Sequence, residues 1–119
     1  MTNDQYALEL ARLIVDTIAD KKGETVVLLD IRDVSILADY FVIASTTSER
    51  QAQALVEAVR EETKKAFDAR PLHVEGEPAS GWVLMDYGGV VVHLFAPEVR
   101  AYYDLDGLWK EGRVVVRML

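Results

Sequence analysis

The sequence contains no cysteine, so neither a disulfide framework nor a thiolate-held metal site is open to it. Histidine is scarce as well, with His73 and His93 the only two. No apolar run approaches the roughly 20 residues needed to cross a bilayer. The opening residues, Met1-Thr2-Asn3-Asp4, lack the basic and then apolar succession of a signal peptide. Together these absences make the reducing cytosol the expected address. Positive charge is in short supply too, with 13 basic against 20 acidic residues and a formal charge of −7. Phosphate binding needs a dense basic face, so direct nucleic-acid binding is not expected. A basic protein partner suits the field better, because opposite potentials steer encounter. An acidic surface also serves solubility alone, and composition does not separate the two.

What is present fits a globular protein. The chain has 119 residues, of which 50% are hydrophobic and 28% charged, the balance of one domain with a real core. Ala7, Leu10, Ala11, Ile14, Val15 and Ile18 recur at helical spacing. Thr2 to Gln5 has the form of a capping box, and Gly23 is a stop signal. Thr25 to Ile31 is a β-branched run without alternation, which predicts a strand buried on both faces. Tyr40 to Ala44 predicts a second strand, and Ser48 with Gln51 a capping box. The helix after it places Ala52, Leu55, Val56, Val59, Ala66 and Phe67 on one face and ends before Pro71. Leu72 to Glu75 reads as a short strand and Gly76 to Gly81 as turns. Trp82 to Tyr87 and Val90 to Phe95, separated by Gly88-Gly89, read as a tight hairpin. A short helix starts near Pro97, and Arg113 to Arg117 reads as an edge strand. The order α-β-β-α-β-β-β-α predicts an α/β fold, a mixed sheet packed with helices.

A two-residue turn pairs Tyr87 with Val90, Asp86 with Val91, Met85 with Val92, Leu84 with His93 and Trp82 with Phe95. Alternation then puts Val83, Met85, Tyr87, Val90, Val92 and Leu94 on a core face. Trp82, Leu84, Asp86, Val91, His93 and Phe95 share the other. A tryptophan among aliphatics with a polar rim is the make-up of a binding hot spot. A second core layer with Asp86 and His93 hydrogen-bonded fits the same residues. Asp86 beside His93 also invites a catalytic reading, but no nucleophile joins them and no Gly-x-Ser-x-Gly elbow exists. Asp104 and Asp106 have the spacing of a two-carboxylate metal site, and equally that of a helix cap or surface turn. None of the glycines forms a phosphate loop. The pairs Lys21-Lys22 and Lys64-Lys65 sit where helix ends favour cations.

Several stretches taken together resemble the Iojap-like ribosomal silencing factor family (RsfS). They are Asp39 to Ile43, Ser48 to Gln51, Glu75-Gly76, Trp82, Asp86-Tyr87-Gly88, Val91-Val92-His93, Arg100, and Tyr103-Asp104-Leu105 with Leu108-Trp109. The resemblance runs in order over about residues 5 to 111 of a single domain, 1 to 119. It implies a nucleotidyltransferase-like topology and binding to the L-fourteen protein of the large ribosomal subunit. It further implies a block on small-subunit joining and repression of translation. No catalysis, cofactor or metal is implied, and nucleotidyl transfer would need a Gly-Ser dipeptide that this chain lacks. The partner contact implied is Trp82, Leu84 and Asp86, with Tyr40 and Arg100 as neighbours; family members tend to pair through exposed apolar surface, and a weak homodimer is expected here. Asp106 stands where the family usually has Glu, and Gly89 where it commonly has Asp. After Gly112 no family pattern is recognised, leaving a tail or edge strand.

Overall fold

In the computed structural model, which describes residues 3–108 and 112–118, the first apolar stripe becomes helix α1 (Asn3–Asp20). Side chains at 3, 4, 106 and 108 are outside the description, and so is Thr2 of the expected capping box. The helix ends differently from expectation. Lys22, not Gly23, takes the left-handed conformation (φ 71°), and Gly23 donates its N–H to the Ile18 carbonyl at 2.9 Å. Gly23 is needed for space instead, because a Cβ there would lie 2.3 Å from Cγ2 of Ile18.

Strands β1 (Glu24–Asp30) and β2 (Tyr40–Ser45) follow, then helix α2 (Glu49–Phe67) and strand β3 (His73–Glu77). A 3₁₀ turn (Pro78–Ser80) leads to the hairpin of β4 (Trp82–Asp86) and β5 (Val90–Phe95). Helices α3 (Pro97–Tyr103) and α4 (Leu105–Leu108) precede β6 (Arg113–Met118). The six strands form one mixed sheet in the order β3-β4-β5-β2-β1-β6, with β2 and β5 parallel and the other pairs antiparallel. The hairpin register is the expected one, Trp82 facing Phe95 and Asp86 facing Val91. The Tyr87 N–H closes the two-residue turn on the Val90 carbonyl at 2.8 Å.

One face of the sheet carries α1 and α2. Their apolar stripes meet Val26, Leu28, Tyr40, Val42, Val83, Met85, Val92 and Leu94 in the larger core. The capping of α2 is half as expected. Ser48 Oγ accepts from the Gln51 N–H at 3.0 Å, but Gln51 Oε1 accepts from the Thr47 N–H at 2.8 Å. Ala66 proves exposed, and Thr63 takes its place in the core. The hydroxyl of Thr63 donates to the Val59 carbonyl at 2.8 Å and meets the Tyr87 hydroxyl at 2.9 Å.

The opposite face holds a smaller core of Val27, Leu29, Ile31, Ala38, Phe41, Ile43 and Phe95. The connector between β1 and β2 covers part of it through Val34, and α3 and α4 add Val99 and Leu105. Alternate residues of β1 thus feed two cores, as a strand buried on both faces requires.

A candidate protein-docking site on the second face

Three rows of paired residues cross this second face from the β3 edge. His73, Asp86, Val91, Phe41 and Leu29 form one; Glu75, Leu84, His93, Ile43 and Val27 the next; Glu77, Trp82, Phe95 and Ser45 the third. The inner ends of these rows are covered and the β3–β4 ends are open. There a groove of about 340 Å³ is lined by Trp82 and Leu84 of β4, Glu75 and Gly76 of β3, Ser80, and Val99 and Tyr103 of α3.

Trp82 is half-buried and held on several sides. Its ring lies 4.9 Å from that of Phe95 and 4.7 Å from that of Tyr103. Its Nε1–H donates to Nδ1 of His93 at 3.2 Å. An imidazole that accepts at Nδ1 is neutral and carries its proton on Nε2. His93 is only 4% exposed and packs edge-on against Phe41 at 4.7 Å. Its bond goes to Trp82, while Asp86 lies one row away, so the Asp86–His93 catalytic pairing is not formed. His93 orients the indole.

Asp86 is half-buried, and Oδ1 accepts the Gly88 N–H at 2.7 Å, which fixes the hairpin turn. Its other oxygen has no hydrogen bond among the described residues. With Glu75 and Glu77 exposed on the neighbouring strand, three carboxylates follow the open edge.

Of the two expected neighbours, Tyr40 faces away from the groove, while Arg100 belongs to α3, which lines it. Tyr40 is 2% exposed and packs into the helix-covered core, because it aligns with Val90 and so points to the other face. Arg100 is half-buried on α3, and its Nη1 donates to the Thr25 carbonyl at 2.8 Å and Ser45 Oγ at 3.0 Å. That carbonyl is presented by a bulge at the start of β1, where Thr25 adopts φ 47°. Arg100 therefore ties α3, and with it Tyr103, to the sheet. Glu75 and Tyr103 were not singled out as site residues. The signal for them was their place in Glu75-Gly76 and Tyr103-Asp104-Leu105.

Asp104 takes the left-handed φ of 47°, and its Oδ1 accepts the Gly107 N–H at 3.1 Å. That is a turn cap, and the Asp106 side chain that would complete the metal pair lies outside the described residues. Among the described residues no group of three or more His, Asp or Glu is placed to hold a metal ion.

The family model for "Ribosomal silencing factor during starvation" matches residues 4–118. The chain belongs to the ribosomal silencing factor family. The match runs past Gly112 to the end of β6, further than the motifs alone indicated. A ribosomal silencing factor from Halalkalibacterium halodurans is 40% identical over 110 residues, covering 90% of this chain and 91% of that one. A crystal structure of a Chromobacterium violaceum protein superposes with a TM-score of 0.81 at 33% identity, covering 94% of this chain and 92% of that one. The mouse protein named "Mitochondrial assembly of ribosomal large subunit protein 1" is 30% identical over 82% of this chain, which spans 43% of it. The name that the bacterial relatives share describes regulation at the ribosome.

Proposed function

We propose that this ribosomal silencing factor docks on the L-fourteen protein of the large subunit through the Trp82–Leu84–Asp86 face. Bound there, it obstructs joining of the small subunit and so represses translation in the cytoplasm without catalysing a reaction. The observation that carries this reading is the groove itself. A tryptophan fixed by His93, Phe95 and Tyr103 offers its exposed area at little entropic cost on binding, and such preorganised aromatics dominate interface energies. The carboxylates of Glu75, Glu77 and Asp86 at its edge match a basic partner, since charge-assisted hydrogen bonds to Lys or Arg are the stronger kind.

The variants that test it are Trp82→Ala and Asp86→Asn. Asparagine keeps an oxygen to accept the Gly88 N–H, so the turn is preserved and only the charge is removed. Each should weaken co-sedimentation with large subunits by about tenfold or more, which is 1.4 kcal/mol. Circular dichroism should show the fold unchanged. Two folded variants that bind and block subunit joining like the wild type would falsify the docking face.

A further inference from the structure

Three of the 13 basic residues of this acidic chain, with one of its two histidines, line one cleft. Arg60 and Lys64, one turn apart on α2, and Arg70 and His73, at the entry to β3, converge on a single cleft of about 560 Å³. No acidic residue lines it. On α2, Lys65 lies 3.7 Å from Glu61 and 3.9 Å from Glu62 in exposed pairs, and Glu57 accepts from Gln53 at 3.1 Å. Lys64 meets Asp68 at 3.4 Å, but both are exposed, and such pairs are weak. Arg60 and Arg70 form no ion pair among the described residues.

The cleft also adjoins the docking face. The Leu72 N–H donates to the Asp86 carbonyl at 2.7 Å, and His73 is the register partner of Asp86. Like charges only weakly neutralised within the fold leave a place for an external anion. Guanidinium groups match phosphate oxygens in shape as well as charge. Phosphates close to the seat of a chain of net charge −7 would repel it. A basic cleft at the margin of the seat turns that local repulsion into attraction.

We infer that the Arg60–Lys64–Arg70–His73 cleft contacts backbone phosphates of RNA on the large subunit, next to the protein held in the Trp82 groove. This inference rests on the docking reading above. Three cations and one histidine are too few for an independent RNA site, so the contact acts within the docked complex.

The test compares wild type with the double variant Arg60→Gln, Arg70→Gln, both positions being exposed. Affinity is measured for isolated large subunits between 50 and 200 mM salt, and for isolated L-fourteen protein. Every phosphate that is no longer neutralised should reduce the slope of log K against log salt by about 0.7–0.9. The variant should therefore show a slope smaller by about 1.5 and an affinity for subunits about tenfold lower at 50 mM, with affinity for L-fourteen unchanged. Wild-type slope and affinity in the variant would overturn the inference. So would an acidic peptide of glutamates that competes for subunits as well as an RNA oligonucleotide does, because the cleft would then read carboxylates. If wild type ignores isolated L-fourteen while the variant still lowers the slope on subunits, the docking reading fails and the phosphate contact stands.

Discussion

Asp30, at the end of β1, is 8% exposed and accepts from two arginines. Arg32 Nε reaches Oδ1 at 3.0 Å and Nη2 reaches Oδ2 at 2.8 Å, while Arg113 Nη2 reaches Oδ2 at 2.9 Å. The Arg32 guanidinium, helped by its backbone N–H and by Arg113, holds the carboxyl at about 2, below its ordinary 3.8, against the opposing effect of burial. A carboxyl with a lowered folded-state pKa stabilises the fold fully above its unfolded value. That contribution is lost as pH falls from 3.8 towards 2. Asp30→Asn should therefore cost on the order of 1–2 kcal/mol at neutral pH. Urea unfolding of the two proteins at stepped pH should show the difference shrinking below pH 4. A gap that stays constant down to pH 2 would mean that packing, and not charge, accounts for it. Because Arg113 belongs to β6, the same carboxylate also fastens the edge strand to β1.

At the scale of elements, α2 depends on a local start signal. Removing the Ser48 hydroxyl leaves the Gln51 N–H without its acceptor, and Ser48→Ala should cost about 1 kcal/mol. Thermal unfolding would register this, and an unchanged midpoint would show that the Thr47–Gln51 contact caps the helix by itself. The helices, the hairpin and its register were legible because periodicity and the Gly88-Gly89 spacing are local properties. What was not legible depended on neighbours distant in sequence. Thr63 ranks low on any apolar scale, yet it sits in the core because its hydroxyl is satisfied by Val59 and Tyr87. Tyr40 looked like a surface neighbour of Trp82. The parallel pairing of β2 with β5, which no local pattern specifies, turns it to the other face. Likewise, alternation put Asp86 and His93 on one face but could not say that the indole of Trp82 takes the imidazole. The groove needed α3, and its seating by Arg100 on a bulged carbonyl of β1 has no signature in the sequence.

At the scale of the whole molecule, an acidic margin of Glu75, Glu77 and Asp86 along β3–β4 adjoins a basic cleft at the end of α2, a contrast that the net figure of −7 conceals. Apolar side chains are also unevenly displayed. Ile36 and Leu37 stand fully or largely exposed on the connector covering the second face, and Leu72, Tyr102 and Tyr103 are exposed around the groove and the cleft. Exposed apolar patches on the order of a few hundred Å² mark interaction sites in soluble proteins. We expect a second copy of the same chain to cover the groove when no other partner does. That contact would be weak, because the carboxylates of two grooves repel when brought together, and it would strengthen as salt screens them. Docking on a basic partner should respond in the opposite direction, since screening removes an attraction. Light scattering at high micromolar concentration should therefore give an average mass between one and two chains, rising with salt. Equimolar L-fourteen should return the mixture to a one-to-one complex, and Trp82→Ala should lower both associations together. A strict monomer at high micromolar concentration would rule out the dimer. A dimer indifferent to Trp82→Ala would place self-association on another surface, and it would then not compete with the ribosome.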